Sequence, residues 1–141
     1  MLSLDVEDAA ARHWLAGIRG RLEDPADAMA VLVEDVNTYE SEVFASQGQG
    51  GWAPLDPATV LLKGSTRVLV DTGNLLELMT HAKVDDTDSV ILDTRDAPYV
   101  APLRAGANGS PPRNPAPIPS SAVLEGWAED LLEVIVHGRR P

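Results

Sequence analysis

The sequence predicts an α+β fold, with amphipathic helices in its first and last thirds and a small antiparallel sheet between them. Apolar residues recur at every third or fourth position over residues 25–46 and again after residue 121, which is the spacing of one helix face. Between these regions, two short runs flank a polar break at residues 86–88, as in a β-hairpin. A chain of 141 residues suits one modest core, so we predict a single domain over 1–141.

The N-terminal region is predicted to hold a strand and then a helix. Leu2, Leu4 and Val6 alternate with other residues, which predicts a short edge strand. From Glu7 the apolar spacing becomes helical and predicts a helix over about 7–22. The residues of its apolar face are Ala10, Trp14, Ile18 and Leu22.

The second helix, over about 25–46, has the clearest pattern in the chain. Asp24-Pro25 is a typical helix start, with aspartate as the cap and proline at the first position. Its apolar stripe consists of Met29, Leu32, Val33, Val36, Tyr39, Val43 and Phe44, and its other face is assigned Glu34, Asp35, Glu40 and Glu42. The helix stops at SQGQGG, so residues 45–55 are predicted to form a flexible loop.

Two short helices are expected next. Asp56-Pro57 predicts a helical turn over about 57–62, because a capping aspartate precedes a proline. Asp71 or Thr72 is expected to cap a second short helix. The apolar side of that helix holds Leu75, Leu76 and Met79.

The last third of the chain is predicted to contain the hairpin, an arm and a closing helix. Residues 81–85 and 89–94 form the hairpin, and 96–105 suit a short helix limited by two prolines. Residues 106–119, GANGSPPRNPAPIP, have no apolar period and predict an extended proline-rich arm that does not pack. Ser120 or Ser121 caps a last helix that ends at Gly138. Its apolar positions are Leu124, Trp127, Leu131, Leu132 and Ile135.

The charge distribution argues against binding through a basic patch. The chain has 22 acidic and 11 basic residues, a net charge of −11, and residues 1–46 alone hold ten acidic residues against three arginines. Such a surface repels phosphate backbones and anionic lipids. No stretch approaches the roughly 18 apolar residues of a membrane span, and the first residues do not resemble a signal peptide. We therefore expect a soluble protein made inside a cell, with no membrane partner.

One three-residue motif suggests catalysis. The stretch VLVDTG, which ends in Asp71-Thr72-Gly73, is how the active-site loop of a retroviral-type aspartic protease looks. That chemistry needs two facing carboxylates, which a small chain supplies as a nearly all-β homodimer. Here the motif runs straight into NLLELM, a helix-forming segment. We therefore interpret it as a structural turn, with Thr72 as the cap and Gly73 supplying backbone freedom.

The sequence contains no other catalytic or cofactor-binding pattern. The absence of cysteine excludes disulfides, thiolate nucleophiles and cysteine-ligated zinc. His13, His81 and His137 share no metal-ligand spacing, and the sequence has neither a phosphate-binding glycine loop nor a nucleophile elbow. We therefore predict a protein that is not an enzyme and that needs no metal or cofactor.

An ordered set of residues runs from the end of the long helix to the short helix after Gly73. It has an aromatic at the helix end, a glycine-containing gap, W-x-x-L, a Thr, a Lys and L-x-x-T-G-x-L. This order resembles that of the bacteriophage virion morphogenesis and tail-completion proteins of the head–tail neck, including the Mu-like group and the tail terminators. The matching positions, called the motif positions below, are Phe44, Trp52, Leu55, Thr59, Lys63, Leu69, Thr72, Gly73 and Leu75.

The resemblance continues after the hairpin and covers about residues 25–138. The family has a Tyr-Ala-x-x-His-x-x-Gly segment there, then a stretch with proline and arginine, then a C-terminal helix. In this chain Tyr99 to Gly106 stands at that place, with Val100 for the alanine and Leu103 for the histidine. Pro111-Pro112-Arg113 and the predicted last helix follow in the same order.

The resemblance implies a structural role in a virion assembled in the host cytoplasm. Family members form rings, commonly of six subunits, at the joint between head and tail. Such a ring contacts head-closure or adaptor proteins on one side and tail-terminator or tail-tube proteins on the other. Double-stranded DNA passes through the lumen without specific binding, and a negative lumen would let it slide.

The site residues expected from this picture fall into two groups, besides the turn at Thr72 and Gly73. Subunit or partner contacts are expected at Trp52, Leu55, Tyr99, Pro112 and Arg113. The lumen is expected to be lined by Glu34, Asp35, Glu40 and Glu42. Each group has a plainer alternative, in which Trp52 packs locally and the acidic residues form an ordinary outer helix face. The alternative function is a small acidic adaptor module that binds a basic protein partner as a monomer or dimer.

Overall fold

The computed structural model describes residues 8–107 and 109–141 and has the predicted α+β architecture. The predicted strand at Leu2–Val6 lies outside the described residues. The described part contains helices α1 (Ala9–Glu23), α2 (Ala26–Ala45), α3 (Pro57–Lys63), α4 (Asn74–Met79), α5 (Val100–Ala105) and α6 (Ser121–Leu132), and strands β1 (Lys83–Asp85) and β2 (Ser89–Ile91). A π-helical turn, Glu133–His137, continues α6.

Helix α2 is the centre of the fold. It contacts α4, α6, both strands and the π-helical turn. Its C-terminal end supplies Phe44 to a core cluster with Leu75, Met79, Ala97 and Val100. Its N-terminal end supplies Ala28 and Val31 to a smaller cluster with Val134. Helix α2 thus divides its burial between two cores, one at each end. The predicted stripe is correct at the C-terminal end, but at the N-terminal end the buried residues are Ala28 and Val31, which lie outside it.

The hairpin forms where the sequence predicts it. Strands β1 and β2 pair antiparallel, with Lys83 opposite Ile91 and Asp85 opposite Ser89. Asp86 takes the left-handed conformation, φ +53°, in the polar turn between them. Aspartate tolerates this conformation better than most residues, which explains why a polar break marks the turn.

Helix α1 forms as predicted, but its apolar face is not buried. None of its residues is buried, and the side chains of Trp14 and Leu22 are 50% and 60% exposed. Its principal contact is with the π-helical turn, where the guanidinium of Arg21 donates to the backbone carbonyls of Ile135 and Val136. The helical period therefore predicted the helix correctly but carries no information on whether another element covers its apolar face.

The proline-rich arm is a packed element, contrary to the prediction. The backbone N–H of Arg113 donates to the carbonyl of Leu103 at 2.8 Å, and Pro115 is among the most deeply buried residues. The hydroxyl of Tyr39 donates to the carbonyl of Pro117 at 3.2 Å. Residues 111–119, called the strap below, therefore lie across the C-terminal half of α2.

Gly106 explains how the chain enters the strap. Its φ is +73°, and a Cβ atom there would lie 2.9 Å from both the nitrogen of Pro112 and the carbonyl oxygen of Ser110. A side chain at this position would be strained by the backbone conformation and would also collide with the strap. The glycine thus permits the close return of the chain.

The glycine-rich segment after α2 is a hydrogen-bonded turn, where the sequence predicted a flexible loop. Within it, Gly48 N–H donates to the carbonyl of Val43 at 2.8 Å, and Gly50 N–H donates to that of Ser46 at 2.9 Å. The side chain of Gln47 donates to the carbonyl of Phe44 and accepts from the backbone N–H of Val68. This turn fixes the direction in which the chain leaves α2.

The final helix begins and ends as predicted. The hydroxyl of Ser120 accepts from the N–H of Val123 at 3.4 Å, and Gly138 closes the π-helical turn in the left-handed conformation. Trp127 packs edge-to-face on Tyr39 of α2, with ring centres 5.8 Å apart. No pattern in the sequence predicted the π-helical turn itself.

Candidate functional site

Most of the motif positions meet at one open groove of about 700 Å³. The groove lies between α3, the segment that precedes α4, and α5. It is called the motif groove below. Its walls include Leu55, Thr59, Lys63, Leu69, Thr72, Gly73 and Leu75, together with Tyr99 and Leu103. Residues that are scattered over the sequence from Leu55 to Leu103 therefore share one surface.

The two motif positions outside the groove wall lie in the core next to it. Phe44 is fully buried, and the ring of Trp52 packs edge-to-face on it with ring centres 5.1 Å apart. Leu69 and Leu75 belong to the same apolar cluster and also line the groove. The motif thus describes a groove together with its supporting core.

The Asp-Thr-Gly turn forms one edge of this groove. Gly73 is the N-cap of α4 and has φ +90°, a conformation that strongly favours glycine. Thr72 accepts only one long bond, 3.4 Å, from the N–H of Asn74, so the prediction that Thr72 or Asp71 is the cap was wrong. Asp71 is exposed on the groove wall, and α4 begins three residues after it.

A strained residue shapes the floor of the groove. Leu69 has φ +57°, which is rare for a branched apolar side chain and costs roughly 1 kcal/mol or more. The preceding residue, Val68, is buried and bonded through its N–H to Gln47. The glycine-rich turn therefore holds this backbone segment against the groove.

The five predicted contact residues separate into two classes. Leu55 and Tyr99 line the motif groove, and Pro112 is exposed. Trp52 and Arg113 serve inside the chain instead. The Nε1–H of Trp52 donates to the carbonyl of Asn114 at 2.9 Å, which fits the plainer interpretation of local packing.

Arg113 is 9% exposed and joins the strap to the segment before α3. Its Nε and Nη2 groups donate to the carbonyls of Ala53 and Pro54 at 2.9 and 3.0 Å. The buried arginine thus satisfies its own donors on two backbone acceptors of an irregular, partly exposed segment. Its expected role as an exposed contact residue was wrong.

The four acidic residues of α2 do not share one exposed face. Glu34 and Glu42 are exposed, and Glu34 lies 3.7 Å from the guanidinium of Arg140. Asp35 is partly buried, and this burial, with the carboxylates of Asp130 and Glu34 nearby, raises its pKa. Glu40 is only 3% exposed, so placing it on an open acidic face was wrong. The spacing already places Glu40 on the apolar face of α2, because Glu40 follows Val36 by four positions and precedes Val43 by three.

Glu40 lines a second pocket, of about 340 Å³, between α2, β2, the strap and α6. It is called the Glu40 pocket below. The carboxylate oxygen Oε2 is buried without a hydrogen-bond partner among the described residues. Burial raises the pKa of this carboxyl from an ordinary 4.5 to about 7. The other walls are largely apolar and include Val36, Val90, Leu92, Pro117 and Trp127.

Helix α3 presents a third unusual surface. Leu61 and Leu62 are 85% and 92% exposed, and α3 has no buried residue. The ammonium group of Lys63 donates a hydrogen bond to the backbone carbonyl of Arg67. Large exposed apolar side chains beside a groove are typical of a surface that contacts another protein.

The remaining polar residues of the described chain form no metal-binding cluster. Within residues 8–107 and 109–141, no three His, Asp or Glu side chains approach closely enough to hold a metal ion. The three histidines are exposed. None of the helices in this part of the chain is both long enough and apolar enough to cross a membrane.

Comparison with protein-family models, with curated proteins and with solved structures finds no match for this chain. The order of the chain's own residues, and the surfaces that they form together, therefore carry the assignment of a function.

Proposed function

We propose that this protein is a structural subunit of the phage head–tail connector, in a neck or tail-terminator ring. In this role it joins the head-closure complex to the tail and lets double-stranded DNA pass through the lumen. The proposed assembly is a homo-oligomer, a hexameric ring, without catalysis or cofactor, located in the virion. The support comes from the motif groove and from the exposed apolar side chains beside it.

The observation with the most weight is the convergence of the motif positions. Seven of the nine, all but Phe44 and Trp52, line the motif groove. The later Tyr99 and Leu103 join them from α5. Seven of these positions lie within residues 55–75, so part of their proximity follows from the local chain, whereas Tyr99 and Leu103 come from a distant part of the sequence. Their meeting supports a common role in contact with another subunit.

The exposed apolar side chains support an assembling subunit over a solitary one. Leu62 and Tyr99 line the motif groove, and Leu61 precedes Leu62 on α3. The two leucines are almost fully open to solvent, and Tyr99 is partly open. Aromatic and large aliphatic residues of this kind act as anchors when they are buried between proteins. We therefore assign the groove and α3 to subunit contacts, together with Leu55 and the exposed Pro112.

The charge supports a lumen through which DNA slides. The net charge is −11, and Glu34 and Glu42 are exposed on α2, so these two residues are the better candidates for the lumen wall. A negative wall repels phosphates, whereas a basic wall would bind them. Glu40 is not part of this proposal, because its carboxyl is buried.

The test is the mass of the protein in solution by light scattering, with negative-stain images of the same sample across a concentration range. Hexameric rings are expected, either alone or after addition of head-closure or tail partners. The Gly73→Val variant should lose the rings, because a β-branched residue does not adopt φ +90° without strain. The matched control is Gly126→Ala, since a Cβ atom there meets nothing within 4 Å. A monomer that also fails to join its partners would contradict the proposal and favour the adaptor module.

A further inference from the structure

The Glu40 pocket contains a carboxyl group with an unsatisfied oxygen atom. Its carboxylate oxygen Oε2 has no partner among the described residues, although the residue is almost fully buried. Burying an unpaired polar group is unfavourable, and more so when the group is ionised. A hydrogen-bond donor or cation from another molecule, entering through the pocket, would supply the partner that this carboxyl lacks within the described chain.

The walls of the pocket define the chemistry of that partner. Apart from Glu40, they are largely apolar, and two isoleucines at the opening, Ile91 and Ile118, are exposed. A fitting ligand therefore combines apolar side chains with one cation that reaches the carboxylate. A guanidinium suits this place, since it pairs with a carboxylate through two hydrogen bonds and also stacks on aromatic rings such as Trp127.

The chain itself presents this combination on the α3 segment, residues 57–67. Leu61 and Leu62 are open to solvent, and α3 makes no extensive contact with another helix or strand of the described chain. Arg67 is exposed, and its side chain forms no ion pair with any described residue. Lys63 is less suited, because its ammonium group is already bound to a backbone carbonyl.

We propose that the Glu40 pocket of one copy receives the α3 segment of a second copy, so that Arg67 pairs with Glu40 across the contact. The two surfaces differ, so the contact is head-to-tail and repeats from copy to copy. Such a contact closes into a ring or continues as a filament, depending on its rotation. The inference builds on the proposed ring in that it names the surfaces that join neighbouring subunits.

The test uses disulfide trapping, which the absence of native cysteine makes clean. One variant has Leu62→Cys on α3, and the other has Ile118→Cys at the opening of the Glu40 pocket. Both residues are exposed, so neither change should disturb folding. When the two full-length variants are mixed and oxidised with a copper catalyst, the mixed dimer should form about tenfold faster than with the Leu22→Cys control, because docking raises the effective concentration. Leu22 is also an exposed leucine, but it lies on α1.

A second measurement tests the proposed ion pair between Arg67 and Glu40, whereas the first tests only whether α3 lies close to the Glu40 pocket of another copy. Arg67→Gln is added to the Leu62→Cys chain, and Glu40→Gln is added to the Ile118→Cys chain. Each change alone should slow trapping about tenfold, because it removes one partner of a desolvated pair. Both together should slow it little further, since the same interaction is already lost. Arg104→Gln, a change at another exposed arginine of the described chain without an ion pair, should have no effect.

The outcomes separate this inference from the proposed function. Fast trapping in a sample that forms rings supports both. Rings with trapping no faster than the control overturn the inference and leave the ring in place. Fast trapping with open filaments and no rings supports the head-to-tail contact and contradicts the closed connector. Trapping at the control rate in a solution of monomers overturns the contact, whatever the protein does with other partners.

Discussion

Two arginines make the same hydrogen bonds in different surroundings. Arg113 donates from Nε and Nη2 to the carbonyls of Ala53 and Pro54. Arg21 donates from the same two groups to the carbonyls of Ile135 and Val136, at 2.6 and 3.0 Å. Arg113 thus joins the strap to the segment before α3, and Arg21 joins α1 to the π-helical turn. In both cases the two segments are far apart in sequence.

What surrounds each arginine differs. Arg113 is buried, and so is Pro115, two residues further along the strap. Between them, the carbonyl of Asn114 accepts a hydrogen bond from Trp52. Arg21 is only partly buried, on a helix that buries no residue. The guanidinium of Arg113 is removed from water more completely than that of Arg21, so the same two hydrogen bonds should contribute differently to stability. The irregular strap is therefore part of the core, whereas the regular α1 helix lies outside it.

The largest expected effect is that of Arg113→Ala. The change removes a buried side chain together with its two hydrogen bonds to the carbonyls of Ala53 and Pro54, and we expect the free energy of unfolding to fall by about 3 kcal/mol. Urea denaturation followed by tryptophan fluorescence measures this. Arg104→Ala, at an exposed arginine, is the control and should change stability by less than about 0.5 kcal/mol. Equal effects of the two variants would show that the strap is not part of the core.

The elements with strong local signals could be predicted from the sequence. Asp56 caps α3, the polar turn at 86–88 lies inside the hairpin, and Ser120 caps α6, as their residue types indicate. The strap could not be predicted in this way. Its stability depends on carbonyls about sixty positions away in sequence, and no local pattern reports them. For α1 the apolar stripe predicted the helix correctly, but it could not predict whether another element covers the apolar face of that helix.

The candidate site was also predicted in part. The motif positions were identified in sequence order, but only their folding together shows that they form a groove. The prediction that Glu40 lies on the exposed face of α2 was wrong. A carboxylate usually faces water, but the position of Glu40 along the helix places it on the other face. Four residues after Val36, it belongs to the buried side of α2, and only the structure shows that it lacks a partner there.

The second prediction concerns pH and the strap side of the molecule. Glu40 has a pKa of about 7 in the folded chain against an ordinary 4.5, so between these values the folded state binds more protons than the unfolded state. Stability should therefore fall as pH rises from about 4.5 to 7 and then level off, by at most about 3 kcal/mol from this group. The measurement is urea denaturation of wild type and Glu40→Gln across this range.

The difference between the two proteins isolates Glu40 from other titrating groups. Glu40→Gln should be the more stable protein above pH 7, and the difference should shrink towards pH 5, where the wild-type carboxyl is neutral when folded. Hydrogen exchange should report the change at Pro117's neighbours in the strap and not in α1, since the Glu40 pocket touches the strap. Parallel pH profiles for the two proteins would show that the carboxyl is already ionised or paired in the folded chain.

The third prediction concerns the α1 side. Arg21→Ala should lower the free energy of unfolding by only about 1 kcal/mol, because water reaches the freed carbonyls of Ile135 and Val136. The effect should be local, so amide exchange in α1 should speed up while that of the strap stays unchanged. Arg19→Ala serves as a control, because Arg19 lies on the same helix but binds only the exposed Glu23. A loss as large as that of Arg113→Ala would erase the contrast between the two arginines.

The smallest expected effect is the interaction between the two arginines. Arg21 and Arg113 share no hydrogen-bond partner, and the segments that they join belong to opposite ends of α2. The double variant should therefore lose the sum of the two single losses within about 0.5 kcal/mol. To keep the double variant folded, its urea denaturation is best measured near pH 5, where the carboxyl of Glu40 is neutral and costs the folded state least. A larger departure from additivity would mean that α2 transmits strain between its two ends, and that the core and α1 are one cooperative unit.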